Sequence, residues 1–257
     1  MRDPDDPDGV TVVVNGVPSS FLDLSDPARL DFEYMQQMAA FVDRVAPRGE
    51  PVDVVHLGAA GCALARAFDA SRPGSHQLAV ELDTALAELV RRWFDLPRSP
   101  ALRIRAGDAR AELTRLASAS ADVVVRDVFA GDRTPGHVCT REMVEQVARV
   151  LRPDGLYLVN CADRPPLTLA RAEAATLADV FSDVAVVAEP ALLRGRGYGN
   201  VVLAATDRTD LLDDAGLERT IRNLPAPARL LHGDEARAFR AGGTVLRDPA
   251  PPPDAAA

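Results

Sequence analysis

VDVVHLGAAGCALAR, Val52 to Arg66, is the stretch that decides the fold. A short apolar run leads into a loop of small residues, Gly58-Ala59-Ala60-Gly61, and a helical pattern follows from Ala63. This is the order strand, tight turn, helix. Small residues in such a turn let backbone approach a ligand at the helix N-terminus, or simply allow close packing of strand on helix.

Working outward, the same alternation repeats. Further apolar runs lie at Gln77 to Glu81, Leu102 to Ala106, Asp122 to Asp127, Leu156 to Cys161, Val184 to Ala188 and Val201 to Ala205. Helical patterns separate them at Thr84 to Phe94, Ala109 to Ala117, Arg141 to Leu151 and Leu167 to Phe181. Runs apolar throughout, rather than at every second residue, belong to strands covered on both faces. An α/β class is therefore predicted, a Rossmann-like doubly wound seven-stranded sheet over residues 47–206. Pro153-Asp154-Gly155 reads as a turn ahead of the fifth strand.

Upstream, Val10 to Val14 and the Asn15-Gly16 pair predict a β-hairpin ending near Leu24. Ser25-Asp26-Pro27 reads as a helix start, with Leu30, Tyr34, Met38, Phe41 and Val45 at helical spacing, so residues 10–46 form a hairpin and helix. Residues 207–246 read as a helical segment, with short helices begun by Asp213-Asp214 and by Asp234. Residues 1–9 and 247–257, rich in Pro, Asp and Ala, are expected to be flexible tails.

The formal net charge is −9, from 29 basic and 38 acidic residues. That average field opposes nucleic acid and anionic membranes and favours a cationic substrate. All the basic residues are Arg, which removes Schiff-base, P-loop and SxxK lysine chemistry. No apolar stretch approaches a bilayer span and no basic-then-apolar leader opens the chain, so a cytoplasmic location is expected. Cys62, Cys139 and Cys161, and His56, His76, His137 and His232, lack any metal-ligand spacing, and no metal is expected.

Three acids stand at the ends of successive strands. Glu81, some twenty residues beyond the glycines, is placed to accept from ribose hydroxyls, or is a solvated strand end. Asp108, in Gly107-Asp108-Ala109, can accept from an adenine amino group while Ala109 leaves room for the ring, or can cap the next helix. Asp127 reaches the carboxyl edge of the sheet, where open α/β folds bind ligands, and is the candidate catalytic residue, with a loop cap as the other reading.

Taken together, VDVVHLGAAGCALAR, LAVELD (residues 78–83), RAGDAR (105–110), ADVVVRDVFAGDRTP (121–135) and VLRPDGLYLVN (150–160) resemble the core of spermidine synthases, over roughly residues 10–206. The resemblance implies aminopropyl transfer to a small amine, with decarboxylated S-adenosylmethionine, or S-adenosylmethionine itself, as co-substrate. Gly58, Gly61, Glu81, Asp108 and Ala109 would hold the nucleoside, Tyr34 would meet the amine, and Asp127 would take its proton. A homodimer is implied as well.

Departures from the family pattern concentrate on the acceptor side. The acid of the usual GGGDGG loop falls on Gly61, and the DSSDP-like run reads Asp127-Val128-Phe129-Ala130-Gly131. A family Gln is replaced around Ser19, and a Tyr-His pair reads Tyr34-Met35. Each lost charged hydrogen bond costs about 1 to 3 kcal/mol. Asp132 and Asp163 are the acids in nearby loops that could compensate, but because Gly61, Ala130 and Met35 replace polar groups with small or apolar ones, an acceptor bulkier or less charged than putrescine is expected. An S-adenosylmethionine-dependent methyltransferase and a non-catalytic nucleotide-binding relative are the alternatives.

Overall fold

A computed structural model describes residue 1, residues 6–131 and residues 133–250. The chain opens with the hairpin, β1 (Gly9–Val14) and β2 (Val17–Asp23), and a long helix, α1 (Glu33–Val45). Alternating elements follow: β3 (Asp53–Leu57), α2 (Ala63–Ser71), β4 (His76–Glu81), α3 (Thr84–Trp93), β5 (Leu102–Ala106), α4 (Ala109–Thr114) and β6 (Ala121–Arg126). The second half comprises α5 (Arg141–Val150), β7 (Leu151–Asp163), α6 (Thr168–Ala178), β8 (Asp183–Ala188), α7 (Pro190–Leu193) and β9 (Gly199–Thr206). It closes with α8 (Ala215–Arg222), β10 (Arg229–Leu231) and α9 (Asp234–Arg240).

Every predicted apolar run is a strand of one sheet, in the order β10-β8-β9-β7-β6-β3-β4-β5. The strands β5, β4, β3, β6 and β7 run parallel, and β9 inserts antiparallel between β7 and β8. The sheet has eight strands rather than seven, because β10 adds to β8 antiparallel. Three residues between two helices are too short to carry a strand pattern in sequence.

Other sequence expectations shift locally. Ser25-Asp26-Pro27 does not start a helix. Asp23 Oδ1 accepts from the backbone N–H groups of Ser25 and Asp26, both at 2.8 Å, and closes a turn instead. These bonds, the Ser25 hydroxyl and the Arg29 guanidinium hold the Asp23 carboxyl well below its ordinary range. α1 therefore begins at Glu33. Pro153-Asp154-Gly155 is an excursion within β7, which pairs with β6 both before it, at Leu151, and after it, at Leu156. At the C-terminal end, Asp248 receives Arg110 at 2.5 and 2.7 Å, and its N–H donates to Glu142 Oε2. Residues 2–5 and 251–257 of the expected tails lie outside the described residues.

Alternate side chains of the strands feed two apolar layers. Val123 and Val125 of β6 face α1, α2, α3 and α8, while Val124 faces α4, α5 and α6. Arg126 also points into the second layer and is 0% exposed. Its Nη2 donates to Glu173 Oε2 of α6 at 2.5 Å and its Nη1 to Cys139 Sγ at 2.9 Å. Burial opposes the guanidinium charge, but Glu173 and neighbouring groups outweigh it and keep the Arg126 pKa above its ordinary value.

The strand order reverses between β3 and β6, the switch point of the sheet. Gly58 leaves β3 at φ +81°, and a Cβ there would run into the carbonyl of Asp127, the residue leaving β6. Asp127 N–H donates to Leu57 O at 2.8 Å, which locks the two exits together.

Two stability outcomes follow from these contacts. Glu173→Ala strands a buried guanidinium and is expected to cost about 3 to 5 kcal/mol in urea unfolding, whereas a loss below 1 kcal/mol would show the pair to be dispensable. Gly58→Ala combines a left-handed φ with a backbone collision, so a loss of at least about 1 to 3 kcal/mol is expected by the same measurement.

Candidate active site

Asp127 stands where β6 ends, next to the loop that leaves β3. Its Oδ2 accepts from the Tyr34 hydroxyl at 2.7 Å and its Oδ1 from Asn160 Nδ2 at 2.9 Å. The valines before it are fully buried, so the backbone that aims this carboxylate is rigid. Burial pushes the Asp127 carboxyl above its ordinary value, and the Asn160 and Tyr34 donors and the Arg126 charge pull against that rise. An ionised carboxylate offers about four lone-pair sites, so two remain for a ligand.

Tyr34 comes from α1, whose apolar face packs on β7 and β9. Burial, together with the adjacent Asp127 charge, raises its hydroxyl well above the usual tyrosine value, so it acts as a neutral donor. Met35, His56, Gly58, Cys62 and Val125 line a small cavity with Asp127. Burial lowers His56 to about 4 and pushes the Cys62 thiol up to about 12. Neither is a charged group or a nucleophile at neutral pH.

The loop after β3 is held from both sides. Glu81 Oε2 accepts from the N–H groups of Ala59 and Ala60, at 3.2 and 2.9 Å, and Oε1 accepts from Asp83 N–H at 3.0 Å. Gly61 N–H donates to Ser20 Oγ of β2 at 3.0 Å, and a Cβ at Gly61 would press on Ser20 and Leu22. Gly61 thus faces the hairpin. Ala60 at φ +41° and Cys62 at φ +58° are non-glycine residues in the left-handed region, the kind of strain that collects at binding loops.

At the next strand end, Asp108 caps α4 through Ala111 N–H at 2.9 Å, as one reading of the sequence had it. Its other oxygen bonds His137 Nε2 at 2.8 Å. Desolvation raises the Asp108 pKa, but the Ala111 and His137 bonds lower it more. Ala109 is buried as the first residue of α4. Asp163 is committed elsewhere: its carboxylate accepts from the N–H groups of Arg164 and Ala170 at the start of α6. Asp132 lies outside the described residues.

The fold therefore lines Gly58, Glu81, Asp108 and Asp127 along one carboxyl edge and brings Tyr34 onto Asp127. Sequence reading missed Asn160, although a polar residue interrupting the run Leu156 to Cys161 was a usable signal. It also missed His137, which has no local signal, and Leu82, an apolar side chain 71% exposed beside Glu81. Among the described residues no cluster of His, Cys, Asp or Glu could hold a metal, and no helix is long and apolar enough to cross a membrane.

No family model matches the chain. Among solved structures, it superposes on a probable spermidine synthase from Corynebacterium glutamicum with a TM-score of 0.90 and 36% identity, covering 98% of this chain and 92% of that one. Among curated proteins, the polyamine aminopropyltransferase of Vibrio vulnificus is 28% identical over 157 residues, 60% of this chain and 51% of that protein. The chain spans about half the length of the curated aminopropyltransferases it matches. Human methyltransferase-like protein 13, solved in complex with SAH, shares the fold at a TM-score of 0.59 and 23% identity, covering 75% of this chain and 93% of that one. With 36% identity sustained across 98% of this chain and 92% of that one, the chain belongs to the spermidine synthase family.

Proposed function

We propose that the protein is an aminopropyltransferase of polyamine biosynthesis, moving the aminopropyl group of decarboxylated S-adenosylmethionine to a small amine. The observation that carries this reading is Asp127 at the switch point, with a neutral donor on each oxygen and lone pairs to spare. Glu81 is the ribose acid and Asp108 the adenine acid. Each keeps acceptor capacity beyond the bonds already made to it. Leu82 supplies an apolar wall at the nucleoside end, and Ala109 leaves space for the ring. Gly58 and Gly61 keep the loop close to β6 and to the hairpin. A homodimer and a cytoplasmic location belong to the same reading.

The chemistry needs a free amine, because an ammonium has no lone pair with which to attack. A primary amine has a pKa near 10 in water and arrives protonated. Asp127 first pairs with this ammonium and then accepts its proton. The nitrogen lone pair forms a bond to the carbon beside the sulfonium, the carbon–sulfur bond breaks, and its electrons neutralise the sulfur. Methylthioadenosine and an N-alkylated amine are left. Substrate and sulfonium, both cationic, lower the Asp127 pKa in the complex and keep it ionised for this role. Tyr34 and Asn160 fix the direction of the carboxylate.

The assay is product formation from decarboxylated S-adenosylmethionine over a panel of amines, with S-adenosylmethionine run in parallel. Methylated product without aminopropylated product would replace this reading by methyl transfer. Asp127→Asn is expected to lower turnover by roughly 10²-fold or more with methylthioadenosine affinity nearly unchanged; near-normal turnover would remove Asp127 from the mechanism. In Tyr34→Phe one of the donors that lowers the Asp127 pKa is gone. The acid limb of kcat/KM, where the base is protonated, is then expected at higher pH than in the unaltered protein.

At the nucleoside end, Glu81→Ala is expected to weaken methylthioadenosine binding by about 1 to 3 kcal/mol in calorimetric titration. Unchanged affinity would take Glu81 off the ribose.

A further inference from the structure

The departures read from sequence leave a diamine with one carboxylate for two charges. The fold supplies another. Glu33, the first residue of α1, sits beside Tyr34 and is half-buried. Its Oε1 accepts from Asn200 Nδ2 at 2.7 Å, and among the described residues no cation forms an ion pair with it. An acid in the first turn suits the helix dipole. The dipole explains neither the bond to Asn200 nor the lack of a cation in a chain with 29 arginines.

Asn200 and Asn160 stand on one face of the sheet. Asn200 of β9 is the register partner of Ala162 of β7, two residues beyond Asn160, and side chains two apart in a strand share a face. Asn160 and Asn200 are thus diagonal neighbours, about 7 to 8 Å apart. Each holds one carboxylate: Asn160 holds Asp127, and Asn200 holds Glu33. Between them Asn160 is 1% exposed, and its Oδ1 is a buried acceptor with no hydrogen-bond partner.

We infer that Glu33 is the specificity-determining carboxylate for the far ammonium of a short diamine, and that Asn160 Oδ1 accepts an N–H of the reacting nitrogen. This inference rests on the reading of Asp127 as the base. The far ammonium keeps its proton and its charge, paired with Glu33, while the near one gives its proton to Asp127. The acceptor is then a diamine rather than the less charged amine that the sequence departures suggest.

The test is calorimetric titration of the full chain with putrescine and with butylamine, each with and without saturating methylthioadenosine. The unaltered protein is expected to favour putrescine. Glu33→Gln, which keeps the shape and the Asn200 contact, is expected to weaken putrescine roughly 10- to 100-fold and leave butylamine unchanged. An unchanged putrescine-to-butylamine ratio in the variant, or equal affinity for both in the unaltered protein, would overturn the assignment. A protein that binds putrescine through Glu33 but transfers no aminopropyl group would sink the proposed activity and leave Glu33 as an amine ligand.

Discussion

The rest of the site depends on one close approach, the passage of Gly58 against the backbone of Asp127. Parallel strands β3 and β6 end side by side, and their chains must depart to opposite sides of the sheet. The two exits touch, with no room for a Cβ at Gly58 and with Asp127 N–H bonded to Leu57 O. A rigid crossing of this kind fixes the distance from the loop after β3 to the carboxylate of Asp127. Whatever lies over the loop is thereby presented to that carboxylate, which is how orientation lowers a barrier without any new chemistry.

Behind this crossing, the sheet uses the two sides of β6 for opposite purposes. Asp127 is placed toward α1 and solvent, whereas Arg126 is driven into the opposite layer and held by Glu173 and Cys139. A buried ion pair is weak evidence for stability, since desolvation consumes most of the attraction. Its value here is directional. With Arg126 anchored by Cys139, by Glu173 of α6 and by the Asn160 carbonyl of β7, a slip of the strand by one residue is opposed, since it would exchange the faces of Arg126 and Asp127. The same charge, one residue away, also helps to hold Asp127 ionised against its burial.

Electrostatically, Asp127 and Glu33 are both held by neutral donors. Elsewhere the chain pairs its acids with arginine, as at Arg110–Asp248 and Arg152–Asp122. Around Asp127 the partners are a phenol and an amide, and at Glu33 an amide again. Neutral donors orient a carboxylate without cancelling its charge, so the attraction for an incoming cation is preserved.

The sequence by itself determined seven of the sheet's eight strands, the hairpin, and the edge on which Glu81, Asp108 and Asp127 stand. Those follow from local pattern: apolar runs set the strands, and a polar residue at the end of a buried run must lie at its edge. Helix starts were legible at Asp214, whose side chain caps α8, and at Asp234, the first residue of α9, and misread at Ser25-Asp26-Pro27, where Asp23 takes the same donors for a turn. Only the tertiary structure decided the partners of each charged group. Tyr34 meets Asp127 across 93 residues, Arg126 meets Glu173 across 47, and Asn200 meets Glu33 across 167. No local periodicity encodes such pairs, because they depend on strand order and register, and these are set by the collapse of the whole sheet onto its two layers of helices.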